Sequence, residues 1–202
     1  MTASPAGVQT RKQDAAAPVD EDAFDGATGP VFIDLDSVLI AFHQGRRGLE
    51  LGLQADLELA LDRLSELGGP LIVLAEPTPR ENGNGRETAR RLETLREGIG
   101  DHYQRLLIVT CPHGEDGSCN CAKPGSGLIE HALREHNLSR RGGWLIGGDQ
   151  ECVQAARHAG LKTIRIGPLG DDHRSAVHRA DYDARDLTDA ATRIMLESLS
   201  GH

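Results

Sequence analysis

From Pro30 onward, short apolar runs alternate with longer stretches in which Leu, Ile and Ala recur every three or four positions. Brief apolar runs bounded by Gly, Pro or Asp read as buried strands, and the longer period reads as the apolar face of a helix. The strand runs are VFIDL (31–35), PLIVLA (70–75), LLIVT (106–110), WLIG (144–147) and KTIRI (162–166). Helices are predicted between them: about 54–67, carrying Leu57, Leu59, Leu61 and Leu64; about 85–98; and about 126–137, striped by Leu128, Ile129, Ala132 and Leu133. A short helix is marked by Val153, Ala156 and Ala159, and a last one runs from Leu187 to Leu199. This alternation predicts an α/β fold, a parallel sheet flanked by helices. The stretch 167–186, with its Gly, Asp and His residues, reads mostly as loop, and there is no internal repeat.

The 202 residues fit one domain with a proper core. Residues 1–29, rich in Ala, Asp, Gly and Pro and without an apolar run, read as a disordered leader, which leaves 30–202 as the domain. A net charge of -9 argues against a nucleic-acid groove or an anionic membrane surface, either of which would repel the chain. A small-molecule partner and a monomer are expected. No segment is long and apolar enough to span a bilayer, and thiolates persist where thiols stay reduced, so a cytoplasmic location is expected.

One thirteen-residue run, CPHGEDGSCNCAK, holds Cys111, His113, Cys119 and Cys121 and ends in Lys123. Three thiols and an imidazole supply a closed tetrahedral zinc shell, and the Gly-rich spacer lets the chain fold back around the ion. With no position left for water, such a zinc is structural. The competing reading is disulfides or scattered buried cysteines, although Cys119 and Cys121 are too close to pair comfortably with each other. Cys152 lies far from this run and reads as a small half-buried thiol on a helix.

Ligands of doubly wound sheets bind beyond the carboxyl ends of the strands. Asp34 and Asp36 lie there after the first strand, Ala75 and Glu76 after the second, the cysteine run and Lys123 after the third, Gly148 and Asp149 after the fourth. Two partly desolvated carboxylates raise each other's pKa and are costly to place together. One can attack phosphorus while the other handles the leaving-group proton, with a lysine and a divalent cation offsetting the charge. Alternatively, the two aspartates simply end a strand and begin a turn.

Taken together, VFIDLDSVL resembles the first motif of the haloacid dehalogenase (HAD) superfamily. CPHGEDGSCNCAKP is similar to the zinc loop of its D-glycero-D-manno-heptose-1,7-bisphosphate 7-phosphatases and histidinol-phosphate phosphatases. The likeness runs from about 30 to 195 and includes the tail ADYDARDLTDA. It implies a Rossmann-like HAD core without a large cap. Asp34 would be the nucleophile that forms an aspartyl-phosphate, Asp36 the general acid and base, and Lys123 the neutralising cation. It further implies magnesium on Asp34, the backbone carbonyl of Asp36 and an acid after strand four, the candidate being Asp149.

The chain departs from the family in three places, the second motif, the zinc loop and the fourth motif. The Thr or Ser that ends strand two is Ala75 here, followed by Glu76, which removes a phosphate hydrogen bond of about 1.5–3 kcal/mol; Thr78 would replace it only after a loop shift. Ala122 stands where a phosphate-binding Arg is found. Anchoring the fourth motif on Ala155, Ala156, Ala159 and Gly160 puts Gly148 and Cys152 where two acids belong, and leaves Asp149 and Glu151 one residue out of place. Asp149 is equally suited to cap the following helix. ENGNGRE (81–87) matches no nucleotide motif and reads as a mobile turn. Two functions follow: a magnesium-dependent phosphohydrolase of carbohydrate metabolism, acting on a small metabolite such as a heptose bisphosphate, or an impaired zinc-stabilised relative that binds a phospho-ligand or a protein partner.

Overall fold

The computed structural model of the chain describes residues 28–43, 49–53, 57–76, 86–111, 119–167 and 179–200. The leader up to residue 27, Thr78, most of ENGNGRE and His113 lie outside the described residues. In chain order the elements are β1 (Val31–Asp34), α1 (Leu35–Val38), β2 (Leu39–His43), β3 (Leu49–Leu53), α2 (Leu57–Ser65), β4 (Leu71–Ala75) and α3 (Arg86–Ile99). There follow β5 (Leu106–Thr110), α4 (Gly127–Glu135), β6 (Trp144–Gly147), α5 (Gln150–His158), β7 (Lys162–Ile166), β8 (Tyr182–Ala184) and α6 (Leu187–Ser200).

Six strands form one parallel sheet in the order β5-β4-β1-β6-β7-β8. All five strands expected from the sequence are in it. The chain builds outward from β1 to β5 on one side, then crosses to β6 on the other. This topological switch opens a crevice beyond the carboxyl ends of β1 and β6. Asp34 ends β1 and Asp149 follows β6, so the crossover makes neighbours of residues far apart in sequence.

A central parallel strand is covered on both faces, so β1 is apolar at every position except its end. Alternation sends Val31 and Ile33 toward Leu57, Leu61 and Leu64 of α2 and Leu187 and Ile194 of α6, while Phe32 meets Leu128, Ile129 and Ala132 of α4 and Ala156 of α5. Each of these side chains is at most 3% exposed. The result is a three-layer sandwich. Thr28 and Gly29, read as leader from the sequence, are buried against it, with the Thr28 N–H donated to Leu67 O at 3.4 Å.

Three elements depart from expectation. The first strand stops at Asp34, and Leu35 begins the single turn α1. The antiparallel pair β2 and β3, in a Gly- and Arg-rich stretch, joins Leu39 to Leu53. It is seated on α3, where a Cβ on Gly98 would come 2.0 Å from Leu53 Cδ1. Finally, β8 adds an edge strand inside the segment read as loop; just before it, Asp181 Oδ2 accepts the Thr163 N–H and hydroxyl, each at 2.7 Å. Among the described residues no helix is long and apolar enough to cross a membrane.

Candidate active site

β1 delivers Asp34 to the edge of the sheet with its side chain 6% exposed. Lys123 Nζ donates to Asp34 Oδ1 at 3.0 Å, and Ser37 Oγ, from α1, donates to Asp34 Oδ2 at 3.3 Å. Lys123 is carried by a tight turn: the Gly125 N–H bonds Ala122 O at 2.9 Å and the Gly127 N–H bonds Asn120 O at 2.8 Å. A Cβ on Gly125 would meet Asn120 Oδ1 at 2.2 Å, so this close return of the chain requires glycine. Lys123 Nζ also reaches Asp149 Oδ2 and Cys152 Sγ, both at 3.3 Å. Three donors thus meet three acceptors.

Burial raises the Asp34 carboxyl above its ordinary value, Lys123 pulls it back, and Asp36 pushes it up again; the balance is upward. Burial alone would lower the Lys123 ammonium, but the fields of Asp34, Cys152, Glu76 and Asp149 hold it above the usual lysine range. It is a permanent cation. Burial also pushes the Cys152 thiol upward.

Asp36 lies beside Asp34 but points outward, its side chain 61% exposed, and its carboxylate meets the guanidinium of Arg91. Arg91 is itself buried on α3, where Nη1 donates to the backbone carbonyl of Glu76 at 3.4 Å; Thr88 Oγ1 donates to the same oxygen at 3.3 Å. Sequence reasoning missed Arg91, one arginine among several. The available signal was its place on the buried stripe Thr88, Arg91, Leu95 and Ile99.

Glu76 was noted in the sequence only for the hydroxyl it does not supply. Its carboxylate turns into the site, where Oε2 accepts the backbone N–H of Lys123 at 3.3 Å. With Asp34, Lys123 and Cys152 it lines a small cavity over Leu74 and Ile129. Burial pushes its pKa up to about 7 against the opposing pull of Lys123.

Asp149 is the N-cap of α5, its Oδ1 accepting the Cys152 N–H at 2.7 Å while Oδ2 faces Lys123. Burial raises its pKa, but the Cys152 N–H and Lys123 win and the net shift is downward. Gly148 contributes no side chain, although a Cβ there would sit 3.6 Å from Ser37 Oγ, an ordinary contact. Gly147 has no such room, since a Cβ would lie 2.5 Å from that of Cys152. The carboxylate oxygens of Asp34 and Asp149 and the Cys152 sulfur lie within 4.8 Å of one another. Two hard carboxylates suit magnesium, which takes one or two from the protein and completes its shell with water and phosphate; the thiol does not.

The sulfurs of Cys111, Cys119 and Cys121 also lie within 4.8 Å of one another, with Cys111 and Cys119 at 3.5 Å. Sulfurs around a tetrahedral zinc stand about 3.8 Å apart, given Zn–S bonds of about 2.3 Å. The donor set fits. Burial and the two neighbouring sulfurs push Cys121 up to about 12, a crowding of thiols that a divalent cation would relieve. None of the four cysteines is in a disulfide.

No protein-family model matches the chain. A D,D-heptose 1,7-bisphosphate phosphatase from B. bronchiseptica, in complex with magnesium and phosphate, has a similar fold, with a TM-score of 0.55 at 20% identity over 84% of this chain and 99% of that one. A HAD-like phosphatase from Mesorhizobium loti gives 0.59 at 15% identity over 84% and 87%. The fold is therefore the one these solved phosphatases share.

In sequence, the heptose-1,7-bisphosphate 7-phosphatase of Pseudomonas aeruginosa is 37% identical over 73 residues, 36% of this chain and 41% of that protein. The corresponding Haemophilus ducreyi protein is 26% identical over 121 residues, 54% and 66% of the two chains. The bifunctional histidine biosynthesis protein of Campylobacter jejuni is 24% identical over 148 residues, 69% of this chain and 42% of that protein. The chain spans less than two thirds of each relative's length. In sequence it thus resembles heptose-1,7-bisphosphate 7-phosphatases and bifunctional histidine biosynthesis proteins.

Proposed function

We propose that the domain over 30–202 is a HAD-type phosphohydrolase acting on a small phosphorylated metabolite, a sugar phosphate such as a heptose bisphosphate. The observation that carries this reading is the buried ion pair of Lys123 with Asp34 at the sheet edge, 3.0 Å long, with Asp36 alongside. A carboxylate kept in a desolvated place beside a permanent cation is suited to attack on a phosphoryl group whose charge that cation offsets.

Asp34 attacks phosphorus through a carboxylate oxygen, and the ester oxygen leaves with a proton from Asp36. Asp36 then takes a proton from water, whose oxygen attacks the acyl-phosphate phosphorus and returns Asp34 and inorganic phosphate. Arg91 holds Asp36 in place for both transfers. Lys123 stays on the side of the phosphoryl oxygens throughout. Magnesium would be held by Asp34, the Asp36 backbone carbonyl and Asp149, and would supply further neutralisation of phosphoryl charge. Zinc on Cys111, His113, Cys119 and Cys121 would be structural. The test is a magnesium-dependent screen over sugar phosphates beside Asp34→Asn; turnover in wild type that vanishes in the variant is expected, and turnover retained in the variant refutes the reading.

One observation favours the second reading, an impaired HAD-like protein that binds a phospho-ligand or partner: Asp149 is committed through one oxygen to capping α5 and through the other to Lys123. Failure of the whole screen, with zinc bound and the fold intact, would favour it.

A further inference from the structure

The donors nearest Asp34 are already engaged by carboxylates of the protein. Lys123 offers two kinds of donor toward the cavity. Its ammonium is shared by Asp34, Asp149 and the Cys152 sulfur, and its backbone N–H is taken by Glu76 Oε2 at 3.3 Å. Glu76 directly follows β4, the strand next to β1, in which Leu74 pairs with Asp34. Its backbone is fixed, because both Arg91 and Thr88 donate to its carbonyl. Its side chain is therefore held at the cavity by both of its ends.

We propose that Glu76 is a specificity-determining residue, an internal anion that occupies the Lys123 backbone donor and must be displaced before an anionic substrate group can bind there. A carboxylate offers two acceptor oxygens with a single negative charge, as one edge of a phosphoryl group does. Above about pH 7, where Glu76 is ionised, an incoming anion meets its charge in a poorly hydrated cavity, where like-charge repulsion is strong. Substrates that bring only a phosphoryl group bind weakly. Those with further binding groups, hydroxyls or a second anionic group reaching beyond the cavity, supply the free energy that moves Glu76 aside. The residue thereby selects for substrate size and polarity, and the inference rests on the phosphohydrolase reading of the same site.

Sulfate is a suitable probe, because its charge is constant through neutral pH. Titration calorimetry of the zinc-loaded full chain with sulfate, run on the alkaline side of about pH 7 so that Glu76 is ionised, is expected to show weak binding in wild type. Glu76→Gln, which keeps the shape and removes the charge, should bind about tenfold more tightly. Adding Lys123→Met, which keeps the backbone N–H and removes only the ammonium, should weaken sulfate binding in both backgrounds and leave the gain from Glu76→Gln in place. Equal or weaker sulfate binding by Glu76→Gln overturns the inference, as does a gain that disappears in the Lys123→Met background, which would assign it to the ammonium and not to the backbone N–H. The two readings fail separately: unchanged sulfate affinity together with Asp34-dependent phosphatase activity removes only the role of Glu76. Tighter sulfate binding by Glu76→Gln, with no turnover of any phosphate ester, removes only the phosphohydrolase.

Discussion

Arg91 meets Asp36 from inside the protein: the arginine side chain is 5% exposed and the aspartate 61%, so a buried cation holds an exposed carboxylate at the rim of the site. Such a contact fixes position more than it adds stability. The same guanidinium grips the end of β4 through the Glu76 carbonyl, so α3, the end of β4 and the turn carrying Asp36 are tied at one point.

Replacing Arg91 by Met should lower kcat by roughly tenfold to a hundredfold with little change in KM, since a loosened acid-base group loses part of a contribution of about 10²–10⁴. In an Asp36→Asn background the substitution should cost almost nothing more. Additive losses in that double-mutant cycle would show that Arg91 acts on something other than Asp36.

Zinc analysis of the purified protein should return one ion per chain. Cys119→Ser should release it and lower stability by about 2 kcal/mol, a fall in Tm of roughly 4–8 °C for a domain of this size. Well under one zinc, with a Tm indifferent to chelator, would remove the metal from the account of the Cys111, Cys119 and Cys121 cluster.

The gap at Gly148 is open enough for a side chain, so Gly148→Asp should add a carboxylate beside Ser37 and Asp34 and tighten magnesium binding, read as the magnesium dependence of Tm. Replacing Cys152 by Asp as well places a charge at a site 1% exposed and should cost stability even where it adds a ligand. Asp149→Ala should lose about 1 kcal/mol as an N-cap whether or not magnesium is present. If it abolishes turnover while Gly148→Asp adds nothing to magnesium affinity, Asp149 is already the metal-binding acid and the alignment of this motif shifts by one residue.

Stability should also depend on the ionisation of Glu76. Its folded-state pKa of about 7 lies above the ordinary 4.5, so its protonated form is favoured by folding. That contribution is fully present below the unfolded value and is lost as pH rises through about 7; Asp34, also raised, acts in the same direction. Between about pH 5 and pH 7.5 wild type should lose stability relative to Glu76→Gln by about 1–2 kcal/mol, allowing for the partial exposure of Glu76. Parallel stability curves for the two proteins would contradict the upward shift.

The sheet was legible because each core strand is a short buried run, and β1 shows this in its unbroken VFI. The pair β2 and β3 was not, because its stretch carries Gly and Arg at the spacing of a loop and its pairing depends on contact with α3. Nor was β8, three residues long and half acidic in its surroundings, anchored by the Thr163 and Asp181 exchange. At the site, Asp34, Asp36 and Lys123 could be found because like charges after a strand and a lysine after a cysteine run are unusual in themselves. Glu76 and Arg91 are ordinary as letters. Their significance comes from a backbone N–H and a carbonyl, groups that every residue carries and no sequence distinguishes.

Cys121 and Lys123 occupy one self-closed turn, pinned by the Asn120 and Ala122 carbonyls. The turn is a bracket with the Cys121 sulfur at one end and the Lys123 ammonium at the other. A metal that drew the three thiols together would therefore also fix the ammonium against Asp34, and losing it should loosen both ends of the turn at once.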